Sequence, residues 1–145
     1  MKALTIDSYG IENARVAEVP DPQPGPGEVR VAVAAAALNH LDLWTVRGVL
    51  GIEHDFPHVL GADAAGVVDG VGEGVKGIKA GTRVLVNPAM SCGECERCRA
   101  GEQSECTAFR MLGEHQAGTI AERVTVPAGN VFPIPEHLDF REAAA

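Results

Sequence analysis

Val59-Leu-Gly-Ala-Asp-Ala-Ala-Gly-Val-Val68, followed by Gly72-Glu-Gly-Val-Lys-Gly77 and then Thr82-Arg-Val-Leu-Val86, is the stretch on which the architecture turns. It contains a literal G-x-G-x-x-G. That pattern makes a dinucleotide site only where it ends a strand and opens a helix whose N-terminus takes the pyrophosphate. Here the continuation from Ile78 leads into a second strand, and Glu73 puts negative charge where phosphate would go. The glycines therefore read as a surface turn between two strands, Val59–Val68 and Thr82–Val86.

Outward from this pair the same signals recur. Lys2–Asp7 and Ala14–Val19 read as a hairpin, with Tyr9-Gly10 and Glu12-Asn13 as turn residues. Glu28–Ala37 sets Val29, Val31 and Val33 on one face and reads as a core strand; Thr119–Val126 and Asn130–Ile134 add two more. Between Pro20 and Gly27 a proline stands at every second position, which fixes φ and removes ladder donors, so this segment is a stiff surface connection. Asn39–Arg47 predicts one or two turns of helix, with Asn39 as N-cap and Gly48 as the stop. Short strands at this spacing with little helix predict a mainly β fold, a partly open barrel with short helices.

The chain has 145 residues, 46% hydrophobic and 22% charged, which is one domain able to bury a core without disulfide staples. A formal charge of -8 repels phosphate backbones and anionic lipid, so neither nucleic acid nor a membrane is an expected partner. With no apolar run long enough for a signal peptide or a membrane span, the expected location is cytoplasmic. At the other end Asp139-Phe-Arg-Glu142 forms a capping box ahead of Ala143–Ala145. A helix that short is unstable alone, so residues 139–145 read as the start of a helix leading to something longer.

All four cysteines fall within fifteen positions: Cys92-Gly-Glu-Cys95-Glu-Arg-Cys98, then Cys106. Two residues between thiols let successive sulfurs turn toward one centre, and Gly93 and Gly101 permit the tight backbone this requires. Four thiolates without histidine make a closed tetrahedral Zn²⁺ site with no position left for substrate, so a structural zinc lobe is expected over residues 88–112. Arg97 and Arg99 stand where they could offset its negative charge. Disulfides fit a cytosolic chain poorly; an iron–sulfur cluster is the lesser competitor.

His40, His54, His58, His115 and His137 read as scattered, with no H-E-x-x-H and no i, i+4 ligand pair backed by a carboxylate base. No G-x-S-x-G is present to start a hydrolase triad. Asn39, His40 and Asp42 share the first turn of the expected helix, and Asp63 lies in a turn of small residues that allows close approach of a ligand. These four are the candidate site residues.

Taken together, Asn39-His-Leu-Asp-Leu43, Leu60-Gly-Ala-Asp-Ala-Ala-Gly-Val-Val68, Val71-Gly-Glu-Gly-Val75 leading to Gly81-Thr-Arg-Val84, and the four-cysteine lobe resemble the medium-chain dehydrogenase/reductase family. The resemblance is to the GroES-like N-terminal catalytic domain of zinc-type alcohol dehydrogenases, over residues 1–145 in the family's order. It implies a GroES-like barrel that precedes an NAD(P)-binding Rossmann domain, with NAD or NADP bound mainly there. It implies a small alcohol or carbonyl substrate and a homo-oligomer of the full-length enzyme, with the fragment inactive alone. It places metal ligands at Cys92, Cys95, Cys98 and Cys106. The family's catalytic zinc uses a cysteine at the position of Asn39 and a His-Glu pair at Ala62 and Asp63, and its proton relay falls at Leu41 and Trp44. These departures resemble the zinc-free quinone oxidoreductase branch, which reduces carbonyls or enones. Asn39, Asp42 and Asp63 are then the expected catalytic residues, with the Asn39 amide polarising the substrate oxygen, although His40, Asp42 or His115 remain possible substitute metal ligands. The competing class is a zinc-stabilised, non-catalytic binding or chaperonin-like module.

Overall fold

The computed structural model describes residues 1–145. In chain order it contains β1 (Lys2–Ile6), β2 (Ala14–Glu18), β3 (Glu28–Ala37), α1 (His40–Arg47), β4 (His58–Val59), β5 (Asp63–Val71), β6 (Arg83–Val86) and β7 (Ala89–Met90). Then follow α2 (Glu96–Arg99), β8 (Arg110–Met111), β9 (Arg123–Pro127), β10 (Val131–Pro133) and α3 (Phe140–Ala143). A five-stranded antiparallel sheet, β10-β6-β5-β3-β9, forms one wall, a three-stranded sheet β2-β1-β4 the other, and β7-β8 a separate ribbon. The protein is mainly β, as its sequence predicts.

The core is built of small β-branched side chains. Val29, Val31, Val68, Val84, Val86, Val124, Val126 and Val131 pack with Met90 and Leu112 inside the five-stranded wall. Each such side chain, once buried, contributes on the order of 2 kcal/mol. Four of the six aromatics stay outside, Trp44 at 54% exposure and Phe132 at 48% among them, while Phe140 packs half-buried against Ala65, Ile134 and Ala144. The barrel is stitched where Thr119–Glu122 crosses from one sheet to the other. Its Ile120 carbonyl accepts from Leu4 N–H, Ala121 bridges Ala3, and the Glu122 carbonyl accepts from Val33 N–H before the chain enters β9. The walls are linked along this seam without merging into one ladder.

Two expected strands are shorter than their apolar patterns. Val59–Val68 is broken at Leu60–Ala62, because Gly61 has φ 102, a conformation L side chains avoid, so β4 joins one sheet and β5 the other. Thr119–Val126 is a strand only from Arg123, its first half being the seam. The glycine-rich turn is a turn, as expected, and its composition has a packing reason. A Cβ on Gly72 would collide with the Gly25 carbonyl of the proline-rich segment, whose Gly27 N–H donates to the Glu73 carbonyl at 2.8 Å.

Charge pins that proline-rich segment. Arg30 and Arg123 each donate to one oxygen of Asp69, at 2.7 and 3.0 Å, and Arg123 reaches on to Asp21, which also faces the N-terminal ammonium at 3.4 Å. Partial burial alone would raise the Asp69 pKa, but the two guanidinium hydrogen bonds outweigh it and hold the carboxyl below its ordinary range.

Candidate functional site

The β3–β5 ladder pairs Ala37 with Asp63, so Asn39, two residues further on, arrives beside the start of β5. Asn39 is the N-cap of α1: its Oδ1 accepts from Leu41 N–H at 3.3 Å, and its Nδ2 donates to Asp63 Oδ2 at 3.1 Å. The two contacts together fix which end of the amide faces which way. One amide hydrogen is thereby used and the other has no protein partner, on a side chain that is exposed.

Asp42, also expected in this site, turns inward. It is 5% exposed, and its two oxygens accept from Asn39 N–H at 2.7 Å and Gly61 N–H at 2.9 Å. One carboxylate thus closes the capping box of α1 and ties the helix to the β4–β5 turn. That turn is a crossing point of three bare backbones, since a Cβ on Gly113 or Gly118 would collide with the Gly61 carbonyl. The sequence brings Asn39, Asp42 and Asp63 together as expected, with Asp42 behind the other two.

His40 stands apart from them, exposed and edge-on to Trp44 at 4.9 Å between ring centres. His115 Nδ1 accepts from Met111 N–H at 3.2 Å, with Glu114 Oε2 3.3 Å from the same nitrogen; a nitrogen that accepts the amide proton cannot also donate to the carboxylate. With both Asp42 oxygens engaged, His40, Asp42 and His115 do not converge as substitute ligands. Nor does the donor set at Asn39, Ala62 and Asp63 suit a metal, because Ala62 offers no ligand atom and the Asn39 nitrogen faces Asp63.

The cysteine lobe converges fully. The ligand atoms of Cys92, Cys95, Cys98 and Cys106 all lie within 4.8 Å of one another, with Sγ–Sγ separations of 3.5 Å for Cys92–Cys106 and 3.9 Å for Cys92–Cys98 and Cys95–Cys106. Four sulfurs at about 2.3 Å from a tetrahedral Zn²⁺ would stand about 3.8 Å apart, so the cluster fits the ion. Backbone N–H groups are aimed at the sulfurs: Cys92 at Cys106 and Cys95 at Cys92, both 3.3 Å, Ala108 at Cys106, 3.4 Å, and Cys98 at Cys95, 3.5 Å. The Cys98 N–H, with the neighbouring thiols, brings the Cys95 pKa down to about 6, and the Cys92 N–H lowers that of Cys106, whereas burial pushes Cys98 up to about 11. Of the two arginines, Arg97 is paired with Glu102 at 2.8 Å and Glu105 at 3.3 Å, so the hydrogen-bond donors at the sulfurs are backbone amides.

This architecture can be set beside known proteins. The model of the alcohol dehydrogenase GroES-like domain matches residues 25–136. The chain belongs to that family. Among solved structures, an NAD-dependent alcohol dehydrogenase is similar over 100% of this chain and 43% of its own, at 52% identity and a TM-score of 0.96. A cobalt- and zinc-bound thermostable alcohol dehydrogenase from Pyrobaculum aerophilum matches 99% of this chain and 44% of its own, at 36% identity and a TM-score of 0.91. Among curated relatives, L-threonine 3-dehydrogenase of Bacillus subtilis is 40% identical over 83 residues, 57% of this chain and 24% of that protein. The matched part is therefore about a quarter of the curated relatives' length. No helix is long and apolar enough to cross a membrane.

One constellation escapes the sequence reading. His54 and His58, four residues apart with Asp55 between them, stand edge to face with their ring centres 4.4 Å apart.

Proposed function

We propose that this chain is the substrate-side catalytic domain of an NAD(P)-dependent oxidoreductase that interconverts a small alcohol and its carbonyl, with a structural zinc held by Cys92, Cys95, Cys98 and Cys106. What supports the reading is the similarity over the whole chain to a solved NAD-dependent alcohol dehydrogenase. The nicotinamide supplies the hydride, and this chain's part is to hold and polarise the substrate. Reduction of a carbonyl builds negative charge on its oxygen, which a fixed hydrogen-bond donor stabilises. The second amide hydrogen of Asn39 is that donor. Asp63 holds the amide nitrogen outward, and Asp42 holds the backbone on which Asn39 sits. At the cysteine cluster, the four thiolates saturate the metal and leave the lobe a tie for residues 88–112.

The test is Asn39→Ser in an enzyme carrying this domain, because serine keeps an N-cap oxygen while removing the amide donor. Loss of one such donor typically lowers kcat about 100-fold. That loss at unchanged zinc content is the expected result, and an unchanged kcat refutes the assignment.

A further inference from the structure

His58 is buried in β4 and stands outside the Asn39 site, yet a short series of contacts leads from its ring to that site. Its Nε2 lies 3.0 Å from the Gly113 carbonyl. A carbonyl only accepts, so Nε2 carries the proton and the ring is a donor in one fixed tautomer. Burial is the main force holding this imidazole neutral, and the neighbouring His54 adds to it against the pull of the Gly113 carbonyl. Gly113 in turn lies directly on the Gly61 peptide, where a Cβ would collide with the Gly61 carbonyl. The polar groups of that peptide are both engaged: its carbonyl accepts from Thr119 N–H at 2.9 Å, and its N–H donates to Asp42 at 2.9 Å.

Gly113 has φ 75, a conformation that glycine reaches freely and also leaves freely. Its carbonyl points into the protein, where His58 is the donor it meets. Without that donor a buried carbonyl is left unsatisfied, and a glycine peptide turns readily toward another partner. The Gly61 peptide packed against it must then shift, and Asp42 with it. Asp42 also accepts from Asn39 N–H at 2.7 Å, so the displacement reaches the amide that faces the substrate. We propose that His58 is a positioning residue for the reaction: by fixing the Gly113 carbonyl it sets the Gly61 peptide and, through Asp42, the placing of Asn39, a role that rests on Asn39 being the substrate's donor. Such a role asks only for a neutral donor at the right reach. Glutamine, whose Nε2 stands where the imidazole Nε2 does, should fill it, and asparagine, one methylene shorter, should not.

The experiment compares His58→Gln with His58→Asn in an enzyme carrying this domain. Val131→Ala, in the core on the edge strand β10, is the control for lost stability. His58→Asn should lower kcat about tenfold with KM little changed, since a small misplacement of a reacting group acts on the transition state. His58→Gln should recover most of that loss, and Val131→Ala should show none. Added to Asn39→Ser, His58→Asn should bring no further loss, because the two act through one donor. In spectra of the chain itself, the Gly61 and Asn39 amide resonances should move in His58→Asn and return in His58→Gln. Should His58→Asn fail to fold, His58→Leu removes the donor without a buried amide and is read in the same way. Equal kcat in His58→Gln and His58→Asn, an equal loss in Val131→Ala, an additive loss in the double variant, or unmoved Gly61 and Asn39 amides would each overturn the role of His58. Unchanged kcat in Asn39→Ser, with the amides moved in His58→Asn, would instead overturn the reading of Asn39.

Discussion

Replacing Asp42 with alanine removes the acceptor from two backbone amides at once. The side chain is 5% exposed, so neither Asn39 N–H nor Gly61 N–H gains full hydration in exchange. Loss of the capping contact costs about 1 kcal/mol. Leaving the Gly61 amide unsatisfied costs about 1–3 kcal/mol, toward the upper end because the lost acceptor is charged. Their sum is about 3 kcal/mol, which for a domain of this length lowers Tm by about 10 °C. Asp42→Asn keeps one acceptor oxygen and turns an NH₂ toward the other donor, so it should fall between. Urea denaturation followed by circular dichroism gives both differences, with Asp63→Asn, whose exposed contact should matter by less than about 1 kcal/mol, as the reference. A loss under about 1 kcal/mol in Asp42→Ala at an unchanged m-value would refute the view that this carboxylate locks α1 to the β4–β5 turn.

Two further outcomes are expected. Chelation of the cysteine-bound metal should accelerate amide exchange over residues 88–112 while β3, β5 and β6 keep their protection, since the valine core lies in the five-stranded wall; cooperative unfolding of the entire chain would contradict this. The Asp69 carboxyl is held below its unfolded pKa, so its stabilisation is complete above the unfolded value, about 4, and disappears as pH falls through the folded one. Urea midpoints between pH 2.5 and 7 should therefore drop on the acid side less steeply in Asp69→Asn, and parallel profiles would exclude a role for the Arg30–Asp69–Arg123 cluster.

What the sequence disclosed was what short-range chemistry controls. The Glu28–Ala37 strand, the Asn39 cap with its Gly48 stop, the Asp139–Glu142 capping box and the gathering of four thiols all depend on neighbours within a few residues, and each stands where it was expected. Other features depend on partners far along the chain. The inward turn of Asp42 is set by Gly61, the break in the Val59–Val68 run by the approach of Gly113 and Gly118, and the replacement of Arg97 by peptide N–H groups by how the lobe wraps. Apolar periodicity is blind to such pairings. His54 and His58, read as scattered in the sequence, stand with their rings 4.4 Å apart because β4 and the segment before it fold together.

The cysteine lobe leaves and re-enters the barrel at a single place. Ala89 faces Met111, Met90 faces Arg110, and Leu112 N–H donates to the Pro88 carbonyl at 3.1 Å, so the excursion from Ser91 to Phe109 starts and finishes on adjacent rungs. An excursion with touching ends is topologically an insertion. It can lengthen, shrink or vanish into a tight hairpin without moving a strand of the five-stranded wall, because closing a shorter loop between the same two rungs demands less entropy. A metal held by the four thiols would therefore govern a part of the chain that the barrel could gain or discard as a unit.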